Sequence, residues 1–200
     1  MKIQKVWRGR LAVAATTIGV LSCVAVFTAT PAAAASAFSN GSFETPVVAA
    51  HTFQTVFLGQ SIGAWTVTTG NVDLIGDGFW QASDGVQSLD LNGDEAGGVS
   101  QTFATTPLFA YEVSYELAGN PVDLPIIKTG QAIVNGQVAQ NFSFDITGKT
   151  EANMGYVHRE FAFLATGGST TLEFLSTNGG GFGPVIDDVQ IEPCLLILCL

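Results

Sequence analysis

The stretch "WQASDGVQSLDLNGDEAGG", Trp80–Gly98, sets a tryptophan ahead of three aspartates, an asparagine and a glutamate spaced by glycines. Oxygen-rich loops of this kind suit two chemistries. One is coordination of a hard cation, which takes carboxylate and carbonyl oxygens. The other is sugar binding, which needs an aromatic face for the apolar side of a pyranose and planar polar side chains for its hydroxyls. For the cation, "DLNGDEAGG" supplies the first three oxygen positions of an EF-hand at Asp90, Asn92 and Asp94. That pattern also needs Gly at its sixth position and Glu at its twelfth, where this chain has Glu95 and Gln101, so no EF-hand is expected. For the sugar, Trp80, Gln81, Asp84, Asp90 and Asn92 stand within one loop–strand–loop, and Asn120 in "LAGNP" can join them from a neighbouring loop. A plainer reading stands beside it, in which Trp80 is a core residue and the polar residues are turn formers.

The elements that must position these residues begin after an export leader. Lys2, Lys5, Arg8 and Arg10 form a basic start, Leu11–Ala29 an apolar run, and "TPAAAASA" ends in small A-x-A sites, so residues 1–37 read as a signal peptide. Secretion to the cell surface or medium is therefore expected. The leader holds four of the seven basic residues. Past it only Lys128, Lys149 and Arg159 face 17 carboxylates, a balance that excludes nucleic acid and anionic membrane as partners.

Residues 38–193 are enough for one domain with a single core. They contain no cysteine, so the domain does not depend on disulfides. The tail 194–200, "CLLILCL", is too short to span a bilayer. Its Cys194 and Cys199 can pair with each other or link this chain to another, making a disulfide-linked oligomer.

The periodicity is that of strands. "YEVSYEL" puts Tyr111, Val113, Tyr115 and Leu117 on one face, and "NFSFDI" does so with Phe142, Phe144 and Ile146. "REFAF" and "TTLEFLS" repeat the pattern with Phe161, Phe163, Leu172 and Phe174. Asn135–Gly136 reads as a tight hairpin turn, since both residues tolerate positive φ. In "VQSLDL" the alternation is imperfect, with Val86, Leu89 or Leu91 the buried positions. Short strands with turn signals and no helical period predict an all-β, two-sheet sandwich.

Several segments stand in a familiar order: "NGSFE" (40–44), "GNVDLI" (70–75), "WQASDGVQSLDLNG" (80–93), "GGVSQTF" (97–103), "LAGNP" (117–121) and "GPVIDDV" (183–189). Together they resemble the DUF642 group, and most closely its bacterial relatives, the choice-of-anchor C proteins. The resemblance implies a galactose-binding-like jelly-roll domain, a fold widely used to bind carbohydrate. It also implies a structural Ca²⁺ between the two ends of the domain. Carried over, the ligands are Glu44 and Asp187, with backbone carbonyls near Asn40 and Ser42. Strand alternation sends Asp187 and Asp188 to opposite faces, and Asp187 is the preferred ligand.

No H-E-x-x-H or phosphate-cradling loop is present; the one G-x-S-x-G, at Gly59–Gly63, leads into no helical period and so makes no nucleophile elbow, and the domain has no cysteine nucleophile. The expectation is a secreted, non-catalytic module that binds cell-wall or extracellular polysaccharide, with a structural calcium. The alternative is a structural or adhesive surface protein that contacts other proteins.

Overall fold

A computed structural model describes residues 37–194, together with Met1 and Ala35. These few positions apart, the leader expected over 1–37 and the tail beyond Cys194 lie outside the described residues. Cys194 itself is disulfide-bonded.

Twelve strands and no helix make up the described residues. In chain order they are β1 (Phe53–Phe57), β2 (Ser61–Ile62), β3 (Trp65–Thr69), β4 (Asn71–Ile75), β5 (Ser88–Asp90) and β6 (Gly98–Ala104), followed by β7 (Ala110–Gly119), β8 (Ile127–Val134), β9 (Gln137–Asp145), β10 (Val157–Leu164), β11 (Ser169–Ser176) and β12 (Pro184–Cys194). They form two six-stranded sheets, ordered β1-β4-β5-β12-β7-β10 and β2-β3-β6-β11-β8-β9. Every pairing is antiparallel. Consecutive strands switch repeatedly between the sheets, as in a jelly-roll β-sandwich, the fold class expected.

The core forms where the alternating apolar faces meet. Tyr115 of β7 comes from the first sheet, and its ring meets Phe174 of β11 at 4.9 Å and Phe142 of β9 at 5.9 Å, both edge-on. Its hydroxyl donates to Gln140 Oε1 at 2.6 Å, so the ring is buried without leaving its polar atom unpaired. Trp65 of β3 is fully buried and donates from Nε1 to the Asn40 carbonyl at 2.9 Å. Burying each such ring contributes about 2–3 kcal/mol.

The turn at Asn135–Gly136 has positive φ at both residues (49° and 78°), as its sequence requires. β5 is shorter than the alternation suggested and is buried on both faces, the inner one in the core and the outer one under the segments that carry Asn120 and Gly183. Leu89 and Leu91 are buried, whereas Val86 falls in the preceding turn and is exposed.

The arm before β1 closes one end of the core. Gln87 is buried and fastens this arm: its Nε2 donates to the Phe43 and Pro46 carbonyls at 2.6 and 3.0 Å, and its Oε1 accepts from Val48 N at 2.6 Å.

Candidate functional site

A cleft of about 430 Å³ lies on the face of the first sheet that points away from the core. Its floor is a ladder of directly opposed residues: Thr55 of β1 faces Asp73 of β4, and Asp73 faces Asp90 of β5. Residues opposed across antiparallel strands share a face, so all three side chains point into the cleft. Thr55 Oγ1 donates to Asp73 Oδ1 at 2.7 Å.

Asp90 is buried and ties three segments together. Its Oδ1 accepts from Asn92 N at 2.9 Å and Gly183 N at 3.2 Å, and its Oδ2 accepts from Asn120 Nδ2 at 2.8 Å. Burial pushes the Asp90 carboxyl up to about 7, outweighing these bonds, which pull it down. The Asp73 carboxyl is also raised, first by desolvation and then by the charge of Asp94, with the Thr55 bond opposing.

Aromatic walls rise from this floor. Phe53 of β1 meets Phe79 edge-on at 5.5 Å, and Phe79 meets Trp80 at 5.4 Å. A second apolar group, Val122 and Phe182, comes from the loops after β7 and before β12. Lys128 fixes both loops. It stands on β8 of the other sheet, is fully buried, and reaches past Gly119, where an added Cβ would sit 2.6 Å from its Cγ. Its Nζ donates to the Asp123 carbonyl at 2.7 Å and the Phe182 carbonyl at 2.9 Å. Burial lowers its pKa, against the attraction of Asp90 and Asp123.

The sugar-facing residues expected from sequence divide. Trp80, Asp90 and Asn120 line the cleft. Trp80 is almost buried, with Nε1 donating to Ser88 Oγ at 2.8 Å, so it backs the wall and offers no free stacking face. Phe53 and Phe79 hold the more accessible rings. Asn92 is buried behind the floor, where Nδ2 donates to the Asn178 and Gly180 carbonyls and holds the Gly181–Phe182 loop. Gln81 accepts from Met154 N at 3.1 Å and lines a neighbouring depression with Phe79, Trp80 and Glu151. Asp84 lies outside the cleft and accepts from Ser42 Oγ at 2.7 Å. The single ledge read from the sequence is thus replaced by a cleft gathered from several segments. Sequence reasoning passed over Phe53, Thr55, Asp73, Phe79 and Phe182, and weighed Asp94 only as a cation ligand. Their one signal is Asp73, an acid enclosed by the apolar run of "NVDLI".

The residues expected to hold calcium fit poorly as a calcium shell. Asp187 Oδ2 accepts from Ser83 N at 2.7 Å and Asp84 N at 3.0 Å, and its Oδ1 accepts from Asp188 N at 2.7 Å. Glu44 Oε1 accepts from Val86 N and Gln87 N, both at 2.8 Å. The two carboxylates grip the turn 83–87 from its two ends, and the turn shows them N–H groups. A cation site requires the opposite polarity, with carbonyls facing inward. The Asn40 carbonyl already accepts from the Trp65 indole, and the Ser42 hydroxyl donates to Asp84. Among the described residues no group of three or more His, Cys, Asp or Glu is arranged to hold a metal. Asp187 and Asp188 do part company: Asp188 adopts φ 44° where the register slips between Asp187 and Gln190.

The family described as "Protein of unknown function (DUF642)" matches residues 36–192. The chain belongs to the DUF642 family. It is also 27% identical over 187 residues to halomucin of Haloquadratum walsbyi, a stretch that covers 90% of this chain and 2% of that protein. The DUF642 domain thus spans a small fraction of this relative. Among solved structures, it is similar to a family 35 carbohydrate binding module from Clostridium thermocellum (11% identity, TM-score 0.49, 70% of this chain and 99% of that one). It is similar too to a xylan-binding domain from Paenibacillus barcinonensis (18% identity, TM-score 0.46, 74% of this chain and 96% of that one).

Two predictions arise from the buried carboxyls. Burial also pushes Asp187 up to about 7. In the unfolded chain both groups titrate near 4. Between those values the folded state holds protons that the unfolded state has lost, so stability falls as pH rises through the window, by at most about 1.4 kcal/mol per unit per group. Tm should therefore rise as pH is lowered from about 7 toward about 4. His158, raised by its bond to Glu116, slopes the same way, so the decisive comparison is of the parent with Asp90→Asn and Asp187→Asn. Each substitution should flatten the Tm–pH profile; profiles parallel to the parent's would contradict the assignment. Second, chelation with EDTA should leave Tm unchanged. A fall reversed by Ca²⁺ would show that Glu44 and Asp187 serve an ion after all.

Proposed function

We propose that this protein binds a carbohydrate chain in the cleft on the outer face of its first sheet, without catalysis and outside the cell. One observation carries the reading: a single cleft combines accessible phenylalanine rings with a floor of fixed hydrogen-bonding groups. Rings cover the apolar faces of a pyranose, and Thr55, Asp73 and the exposed Asp94 offer oxygens to its hydroxyls, over a base held in place by the buried Asp90 and Asn120. The floor is preorganised, since its members bond to each other or to backbone before any ligand arrives.

A binding role is favoured over hydrolysis by the state of the carboxyls. Glycoside hydrolysis needs one acid free to give its proton and a second carboxylate free to act as base or nucleophile. Both oxygens of Asp90 are already held by N–H donors and Asp73 gives one oxygen to Thr55, which leaves Asp94 as the one exposed carboxylate of the cleft where hydrolysis needs a pair. The strongly acidic balance and the export-type leader agree with an extracellular setting.

Retention of the purified protein on insoluble polysaccharides, across a panel of neutral, amino and acidic polymers, tests the proposal. At least one should retain it, and Phe79→Ala should weaken retention about tenfold, the usual loss of a stacking ring. Phe57→Ala, which removes an exposed ring of β1 outside the cleft, should not. Equal retention of both variants, or retention on none, would overturn the proposal.

A further inference from the structure

Resting on that reading, we infer that the ligand is a chain of amino sugars whose protonated amines meet the carboxylates at the edges of two adjoining sites. The cleft is lined by Asp73, Asp90 and Asp94, with no basic side chain among its lining residues. The nearest cation is Lys128, whose Nζ is turned to two backbone carbonyls. An anionic glycan would bring like charge into this site, which costs affinity, whereas an ammonium group is attracted. Phe182 already carries the Lys128 ammonium over its ring, at 5.9 Å, and Phe53 and Phe79 strengthen the preference, because the faces of phenylalanines draw cations as well as sugar C–H groups.

The neighbouring depression repeats the pattern. It shares the Phe79–Trp80 wall with the cleft and carries its own exposed carboxylate, Glu151. The Phe79 ring therefore stands between two acids, with Asp94 exposed at the first site and Glu151 at the second. A single small cation would use only one of these acids. A polymer with an amine on every unit can use both, which makes a poly-glucosamine-type chain the best match in chemistry.

Calorimetric titration of the full chain with hexaglucosamine, its fully N-acetylated counterpart and hexagalacturonate tests this. The amino hexamer should bind about tenfold more tightly than the acetylated one, the combined effect expected of two exposed ion pairs and a cation–π contact. Hexagalacturonate should bind weakest. The advantage should shrink at molar salt, which screens exposed pairs. Asp94→Asn with Glu151→Gln should erase the difference between the first two hexamers. Both positions are exposed, so an unchanged Tm verifies that the variant is folded. Equal binding of the two hexamers, or tightest binding of hexagalacturonate, would overturn the inference and leave the sugar-binding reading standing. Binding of none of the three, nor of any polymer in the wider panel, would overturn both.

Discussion

The cleft depends on one buried carboxyl. Asp90 sits at the middle of the first sheet with no exposure to water, a position that is costly for a carboxylate unless donors surround it. The backbone of Asn92, the backbone of Gly183 and the side chain of Asn120 supply them. These donors come from three segments, so satisfying Asp90 fixes three loops at once. Gly183 must be glycine there, since an added Cβ would stand 2.2 Å from Asn92 Oδ1. Lys128 then holds the same two loops farther out, through the carbonyls of Asp123 and Phe182. The apolar group at Val122 and Phe182 is placed by these two buried polar side chains, one from each sheet.

A similar use of carboxylates explains the turn at 83–87. Asp187 and Glu44 lie far apart in sequence, yet each accepts two N–H groups of the same turn, with Gly85 at φ 62° between them. The segments at Glu44 and Asp187 are thereby tied to the middle of the domain. Much of this protein's acidity serves structure in that way, because a carboxylate that accepts backbone N–H groups replaces the water those groups would lose. The same residues that suggest a cation shell by type act as acceptors for the main chain by geometry.

The fold was legible in the sequence because one wet and one dry face per strand leave an alternation that survives without any alignment. Tyr115, Phe142, Leu172 and Phe174 all lie where that alternation puts them. β5 was less legible for the converse reason: a central strand covered on both faces has no alternation to show. The site was legible in part. Trp80, Asp90 and Asn120 mark it, but of the accessible rings Phe53 stands on the face that alternation assigns to solvent and Phe79 stands in a turn, where there is no alternation to read. Asp73 looks like any solvated acid until the register sets it between Thr55 and Asp90. Lys128 gave no sign of its role, since its reach from one sheet to the loops of the other is a property of the packing.

Amide chemical-shift mapping during titration with hexaglucosamine tests the central claim most directly. The account predicts perturbations concentrated at Gly93, Asp94, Val122, Gly181 and Phe182, with the amides of β9, such as Val138 and Asn141, unmoved. Shifts centred on the second sheet, or none at any concentration, would contradict it.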